Sequence, residues 1–255
     1  MDDVENNEMG KEGYAEAWSH DQELAAMFKA GVHFGHRKSR VNAKMMPYIF
    51  TVRNNVHIID LAKTKEKLAA ALAYLRGLQN ERKTILWVGT RPAARELVEQ
   101  LAVDLGMPYV MNRWVGGTLT NFTVIAKRLA YFRDLEEKQR KGELEKYTKK
   151  EQHLFQIELR RLAEKFGGIK HMAEIPHALF ITDLYEDEIA AREAKRKGVP
   201  VVAIADTNTD PTFADYLIPA NDDATSSLTY LFGRIRQTLT EAEPVPAEAA
   251  VATTS

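Results

Sequence analysis

Apolar residues along the chain alternate between short β-type runs and longer helical stripes, which predicts an α/β fold. Two runs, Tyr48–Arg53 and Val56–Ile59, flank Asn54-Asn55, a pair that suits a hairpin turn. Further strands are predicted at Thr84–Val88, Tyr109–Met111, Leu179–Thr182 and Val201–Ala205. Between these runs, apolar residues recur at spacings of three and four, as on one face of a helix.

The helical stripes separate the strands, as a parallel sheet covered on both faces requires. They comprise Leu61, Leu68, Leu72 and Leu75; Ala94, Leu97, Val98, Leu101 and Leu105; and Leu228, Leu231, Phe232 and Ile235. A further helix is predicted around Glu186–Lys197, closed by Gly198 and Pro200. This alternation favours a doubly wound, flavodoxin-like parallel sheet of about five strands.

One stretch, residues 120–166, departs from the alternation and predicts an inserted antiparallel coiled-coil hairpin. The outgoing helix carries Phe122, Ile125, Leu129 and Phe132, the return helix carries Leu154, Ile157 and Leu162, and Lys141-Gly142 supplies the turn. The α/β domain then comprises residues 23–119 and 167–240. Residues 1–22, an acidic extension, and the tail 241–255 lack apolar periodicity and are predicted to be disordered.

The net charge of −1 hides a strongly uneven distribution of charge. Residues 24–240 hold 34 of the 35 lysines and arginines but only 25 of the 36 acids, because the two ends of the chain are acidic. Leu24–Ile59 contains no aspartate or glutamate at all. Such a like-signed segment is either a solvated surface or a face that binds a polyanion, and charge alone leaves both interpretations open.

Several classes of protein are excluded or disfavoured. The chain has no cysteine, which excludes disulfides and thiolate chemistry, and no apolar run approaches the ~18–20 residues of a membrane span. Its acidic N-terminus is unlike a secretory signal, so we expect a cytoplasmic protein. The glycine-rich phosphate loops, the serine nucleophile elbow and the H-E-x-x-H metal motif do not occur.

One enzymatic alternative remains at the carboxyl edge of the predicted sheet. Asp183, Asp206-Thr207-Asn208 and Asn221-Asp222-Asp223 would meet there, where doubly wound enzymes place their sites and where carboxylates could hold magnesium. The same carboxylates would repel phosphate. We therefore favour a structural role for them as helix caps and turn residues.

The residues best suited to function lie in two segments, and RNA is the ligand that both suggest. The first, Gly31–Arg40, combines glycines, basic side chains without acidic partners in the segment, and planar side chains. Contact with phosphates and stacking on nucleobases require these residue types. The second, Arg113–Phe122, has a Gly-Gly turn before a helix whose backbone N–H groups could hold a phosphate; Arg113 and Trp114 could instead pack the hairpin root. The candidate RNA-binding residues are Lys29, His33, His36, Arg37, Lys38, Arg40, Lys44, Arg113 and Thr118. A metal site at His33 and His36 is disfavoured because the flanking charges are basic.

Seven segments, in order over roughly residues 24–240, carry a resemblance to a known family. They are Ala30–His36, Val56–Leu61 with Lys63-Thr64, Val88–Arg91, Arg113–Phe122, Gly167–Lys170, Ala205–Pro211 and Ile218–Ala224. On these segments the chain resembles the bacterial-type ribosomal protein S2 family of the small ribosomal subunit. Three features depart from it: Val41-Asn42-Ala43 stands where a Trp-Asn-Pro run is usual, the acidic extension is longer, and His171–His177 lacks the usual glycines.

The resemblance implies a non-catalytic structural constituent of the small ribosomal subunit, located with it in the cytoplasm. It implies binding to small-subunit ribosomal RNA and help in docking ribosomal protein S1 and other small-subunit proteins. The inserted hairpin is similar to the coiled coil of the bacterial members. No cofactor, no metal, no membrane and no homo-oligomer are expected. A scaffold that acts through the hairpin alone is a further hypothesis.

Overall fold

The structure is a computed structural model that describes residues 18–240. Residues 1–17 of the predicted acidic extension and the predicted tail 241–255 lie outside the described residues. Trp18 belongs to the described part and is buried, although the extension was predicted to run to residue 22. No helix within residues 18–240 has the length and apolar character needed to cross a membrane.

A five-stranded parallel sheet forms the centre of the molecule and confirms the doubly wound fold. Its strands are β4 (Ile85–Val88), β5 (Tyr109–Val110), β6 (Ala178–Ile181), β7 (Val201–Ala205) and β8 (Tyr216–Pro219). The spatial order β5-β4-β6-β7-β8 reverses between β4 and β6, as in flavodoxin-like sheets. Strand β8 was not predicted, because it ends in Pro219, a residue that disfavours strands.

A smaller antiparallel sheet of three strands precedes the main sheet. It contains β1 (Phe34–Arg37), β2 (Ile49–Arg53) and β3 (Val56–Ile59), in the order β1-β3-β2. The predicted turn at Asn54-Asn55 is confirmed, since both residues have positive φ values of 47° and 64°. Strand β1 was missed because glycine and charged residues interrupt any β-type pattern there.

Helices cover both faces of the main sheet. They are α1 (Gln22–Ala30), α2 (Leu61–Asn80), α3 (Pro92–Asp104), α4 (Phe122–Arg140), α5 (Lys149–Phe166), α6 (Glu188–Lys197) and α7 (Thr225–Thr240). Alternate strand residues point to opposite faces, so Trp87 packs with α2, α3 and α7 while Leu86 packs with α4 to α6. Both faces are therefore buried, as the apolar strands indicated.

The helices α4 and α5 form the predicted hairpin, and Gly142 (φ 72°) lies in the turn between them. The predicted seam of α4 is confirmed at Ile125, Leu129 and Phe132, which are all buried. The predicted seam of α5 was partly wrong, because Leu154 is 55% exposed. The buried residues of α5 are Leu162, as predicted, together with Leu159 and Phe166, close to the sheet.

Candidate nucleic-acid interface

The acid-free segment, Leu24–Ile59, begins within α1. Gly31 takes the left-handed conformation (φ 78°), and its N–H donates to carbonyls of the last turn, which closes the helix. Lys29 lies exposed in that last turn. The chain then enters β1, which carries it along the edge of the small sheet.

Three neighbouring cations extend from the end of β1. Arg37, Lys38 and Arg40 are all exposed, and none has an ion pair within residues 18–240. The backbone N–H of Lys38 donates to the carbonyl of Asn55 at 2.9 Å, which fixes the segment against the β2–β3 turn. The sequence therefore places three unneutralised positive charges side by side on an ordered loop.

The fifth candidate cation of this segment, Lys44, is neutralised within the protein. The Nζ of Lys44 lies 2.7 Å from Oδ2 of Asp210, in the loop after β7. Burial raises the pKa of Asp210, but the hydrogen bonds from Lys44 and Thr212 outweigh it and bring this pKa to about 2. Lys44 is 54% exposed in its side chain, so it is still open to solvent on one side.

Two candidate residues have buried side chains. His33 is 3% exposed and stacks on Phe28, with ring centroids 4.4 Å apart, beside Trp18 and Phe34. Burial lowers the pKa of His33 to about 4, so the ring is neutral at pH 7. Thr118 is 1% exposed, and its hydroxyl donates to the carbonyl of Val115 at 2.6 Å. Both side chains therefore lie beneath the surface and do not face solvent.

His36 ties the acid-free segment to the main sheet. Its Nδ1 lies 2.8 Å from Asp206 Oδ2, and its Nε2 lies 3.5 Å from Asp223 Oδ2. Its backbone N–H donates to the hydroxyl of Thr207 at 2.9 Å. A Cβ on the preceding Gly35 would lie 2.7 Å from the Thr207 methyl carbon, so only glycine allows this close approach.

The same histidine belongs to a possible cation-binding set. Ligand atoms of His36, Asp206 and Asp223 all lie within 4.8 Å of one another. An imidazole with two carboxylates is a donor set that zinc accepts. His33 takes no part in it: the two histidines lie in a turn and a strand, not on one helix face. The partners of His36 come from distant loops, which sequence reasoning did not connect to it.

The crevice at the carboxyl ends of β4 and β6 is where a doubly wound fold usually binds a ligand. Here Arg91 fills it and pairs with Asp183 and Asp223, while its Nη1 lies 3.8 Å from Asp222. Asp183 and Asp222 are 1% and 2% exposed. Burial, then the charges of Asp183 and Asp206, raise the pKa of Asp222 well above its usual range. Of the acids expected at this edge, Asp183 and Asp223 therefore pair with Arg91 and Asp206 pairs with His36, whereas both oxygens of Asp222 lack a hydrogen-bond partner within residues 18–240.

The second predicted segment is organised by Glu193 of α6, a residue that the sequence did not point to. Its carboxylate accepts hydrogen bonds from the N–H groups of Gly117, Leu119 and Thr120, and from the indole of Trp114. The N–H groups predicted to hold a phosphate are therefore already used, and that part of the hypothesis was wrong. The helix itself begins only at Phe122.

Arg113 remains exposed at the edge of this segment. It follows β5, one edge strand of the sheet, whereas the acid-free segment is bonded to the loops after β7 and β8. The structure therefore does not bring Arg113 together with Arg37, Lys38 and Arg40. The two candidate surfaces lie toward opposite edges of the sheet.

Comparison with known proteins identifies a family. The model of the family described as "Ribosomal protein S2" matches residues 27–242. A protein of Roseiflexus sp. (strain RS-1), named small ribosomal subunit protein uS2, is 43% identical over 220 residues, covering 86% of this chain and 84% of the relative. Proteins of the same name from Coprothermobacter proteolyticus and Chloroflexus aurantiacus are both 44% identical, over 86% and 83% of this chain and 81% and 89% of their own lengths.

Proposed function

Since the chain belongs to the ribosomal protein S2 family, we propose that it is a structural constituent of the small ribosomal subunit that binds small-subunit ribosomal RNA. The observation that carries the proposal is the group of exposed cations Arg37, Lys38 and Arg40, which no acid neutralises within residues 18–240. Unpaired cations on an ordered loop release counterions when they meet RNA phosphates, which drives binding.

The supporting residues have defined roles in this proposal. Lys29 adds positive charge before the three cations, Lys44 is paired with Asp210, and Arg113 contributes from a separate surface. His33, His36 and Thr118 act by holding the backbone: His33 within the aromatic cluster, His36 on Asp206, and Thr118 on Val115. In this proposal the protein carries out no reaction of its own, and Arg91 pairs with Asp183 and Asp223 in the crevice where this fold would otherwise place a substrate.

Docking of neighbouring ribosomal proteins, including protein S1, is the second part of the proposal. Phe34 and Phe50 on the small sheet are 50% and 44% exposed, a suitable surface for a protein partner. The hairpin offers another. Deleting Leu135–Phe155, the outer part of the hairpin, should leave RNA association in place and reduce partner docking if the hairpin serves proteins alone.

Sedimentation tests the proposal as a whole. Tagged full-length protein is expressed in bacterial cells, and the lysate is run through a sucrose gradient. We expect the tag to travel with small subunits and to move toward the top of the gradient when Arg37, Lys38 and Arg40 are all changed to alanine. Protein that stays at the top in both forms would contradict the proposed function.

A further inference from the structure

The most acidic part of the chain joins the fold beside its most basic part. Residues 1–17, which we call the acidic arm, contain six acids and one lysine, a net charge of −5. The next residue, Trp18, is 4% exposed. Its ring centroid lies 5.5 Å from that of Phe50 and 6.1 Å from that of His33. Trp18 therefore fixes the end of the acidic arm against the small sheet.

The unneutralised cations of the acid-free segment lie a short distance from this anchor. His33 comes directly before β1, and β1 ends at Arg37. At ~3.4 Å per strand residue, Arg37 lies roughly 14 Å along the strand from His33, and Lys38 and Arg40 follow it. A chain of 17 residues extends to about 55–60 Å at most. The acidic arm is thus long enough to cover all three cations.

The cations around the start of α1 are already neutralised by acids of the folded part. Lys65 pairs with Asp21, and also with Glu23 at 3.4 Å. Arg234 pairs with Glu23 at 2.9 Å. These cations therefore offer little to the acids of the arm. The exposed cations near the anchor that have no ion pair within residues 18–240 are Lys29, Arg37, Lys38 and Arg40.

The described acids on the same side of the molecule are also paired with other residues. Asp206 lies 2.8 Å from the Nδ1 of His36, and Asp210 lies 2.7 Å from the Nζ of Lys44. Asp223 pairs with Arg91. The folded part therefore leaves a positive surface open beside the point where a strongly negative segment begins.

We propose that the acidic arm docks on the basic surface formed by Lys29, Arg37, Lys38 and Arg40 while the protein is free, and that RNA displaces it. The docking goes beyond the proposed function, and the displacement rests on it. Tethering places the arm at an effective concentration on the order of millimolar, so weak ion pairs are enough to hold it. RNA carries more charge and releases counterions when it binds, so it replaces the arm.

The consequence of docking is a protein that discriminates against weak polyanions. A ligand that makes few phosphate contacts has to compete with the tethered arm, whereas a ligand that contacts the whole basic surface overcomes it. A second copy of the chain presents the same basic surface. At micromolar protein concentrations, however, its effective concentration is far below that of the protein's own arm, so we expect docking within one chain.

Carbodiimide crosslinking of the free, full-length protein tests the docking without RNA. The reagent joins a carboxylate to a lysine amine in direct contact, and mass spectrometry identifies the joined residues. The internal controls are Lys149 and Lys150, two exposed lysines at the start of α5 without an ion pair within residues 18–240. We expect the acids of the arm to join Lys29 and Lys38 several times more often than these two, and the excess to vanish in about 1 M potassium chloride, where the screening length is about 3 Å.

Two results of the crosslinking would overturn the proposal. Equal yields at the four lysines would show that the arm does not dock on the basic surface. In a mixture of ¹⁵N-labelled and unlabelled protein, links between the two isotopic forms would place the arm on a second copy. Links confined to one isotopic form support docking within the chain.

RNA binding tests the displacement with a matched pair of full-length variants. E5Q/E8Q/E12Q removes three acids from the arm, and E241Q/E243Q/E248Q removes three from the other end of the chain. That end follows α7, whose first turn is bonded to Ala30 through Ser226 and whose last residue lies roughly 22 Å away along the helix. In low salt, we expect the arm variant to bind polyuridylate roughly three- to tenfold more tightly than the native chain, and the control less than about twofold more tightly.

The same change in a chain that lacks the cations separates docking from simple repulsion of RNA. In the R37A/K38A/R40A background, E5Q/E8Q/E12Q should have little further effect, because the arm has lost its docking surface. An equal gain in both backgrounds would show that the arm repels RNA directly, and would overturn the proposal. Circular dichroism spectra that match the native chain establish that each variant is folded.

The outcomes also distinguish this inference from the proposed function. Preferred links to Lys29 and Lys38 in a native chain that binds no RNA would support docking while the proposed function and the displacement fail. Salt-dependent RNA binding by the native chain, with equal yields at the four lysines, would support the proposed function and overturn the docking.

Discussion

The carboxylate of Glu193 accepts a hydrogen bond from the indole Nε1 of Trp114 at 3.1 Å, across 79 positions of sequence. The same carboxylate holds three backbone N–H groups of the loop that leads into α4. A residue of α6 thereby fixes the root of the hairpin. Burial raises the pKa of Glu193, but these hydrogen bonds outweigh burial and leave the pKa lowered.

The change Glu193→Gln should destabilise the protein by roughly 2–3 kcal/mol, because charge-assisted hydrogen bonds are lost and an amide N–H₂ faces backbone donors. Chemical denaturation monitored by circular dichroism measures the free energy of unfolding. Glu188→Gln on the same helix is the control, since Glu188 pairs only with the exposed Arg192, and it should change stability by less than about 0.5 kcal/mol. Equal effects of the two changes would show that Glu193 has no special role.

Gly35 should not tolerate a side chain. In Gly35→Ala the added Cβ meets Thr207 and disturbs the hydrogen bond from the His36 N–H, so we expect a loss of about 1–3 kcal/mol. Adding Thr207→Ser removes the nearest methyl and should recover part of the loss. Gly77→Ala within α2 meets no atom within 4 Å and should stabilise the helix slightly. Thermal unfolding of the four proteins compares these effects.

Because Asp187 is buried, we expect an unusual dependence of protein stability on pH. Burial raises its pKa to about 7, despite hydrogen bonds from Thr90 that oppose the change. The folded state therefore holds a proton that the unfolded state releases, so this group lowers stability as pH rises from about 4 to 7. In Asp187→Asn this loss of stability with rising pH is absent, because asparagine does not titrate. The free energy of unfolding of the variant minus that of the native protein should increase by roughly 2–4 kcal/mol from pH 4.5 to pH 8. A difference that stays constant over this range would contradict the raised pKa of Asp187.

His33 should produce the opposite trend over the same range of pH. Burial lowers its pKa to about 4, so the unfolded state takes up a proton first and stability falls as pH drops from 6.5 toward 4. His33→Phe preserves the stacking on Phe28 and removes the titration. We expect this variant to resist acid better than the native protein in denaturation curves at pH 5. Identical acid sensitivity would show that His33 is not held neutral.

Local patterns were enough to predict most of the fold. The helical stripes predicted for α2 and α7 are all buried, and β7 has the predicted bounds, because these elements are long or wholly apolar. Strands β1 and β8 were missed because glycine and charged residues in β1 and the proline of β8 weaken the local β-type pattern, so that pairing with other strands forms them more than any local preference. Leu154 was misplaced because α5 packs on α4 mainly near the sheet.

The candidate site was less predictable, because long-range contacts decide which charges are free. Lys44 and Arg40 look alike in the sequence, yet only Lys44 meets an acid, Asp210, which lies beyond β7. The backbone N–H groups after Gly116 also look free in the sequence, yet the Glu193 carboxylate accepts a hydrogen bond from the N–H of Gly117.

If Arg37, Lys38 and Arg40 neutralise RNA phosphates, the affinity of the protein for RNA must depend on salt through these three residues. Full-length native protein and the R37A/K38A/R40A variant are titrated with small-subunit rRNA at several potassium chloride concentrations. We expect the log–log salt slope to fall by roughly 2–3 in the variant. The control K138Q/K141Q/R192Q removes three cations that are each paired with a carboxylate four residues earlier, and it should keep the native slope. An R37A/K38A/R40A slope equal to the native one would show that these three cations make no phosphate contacts.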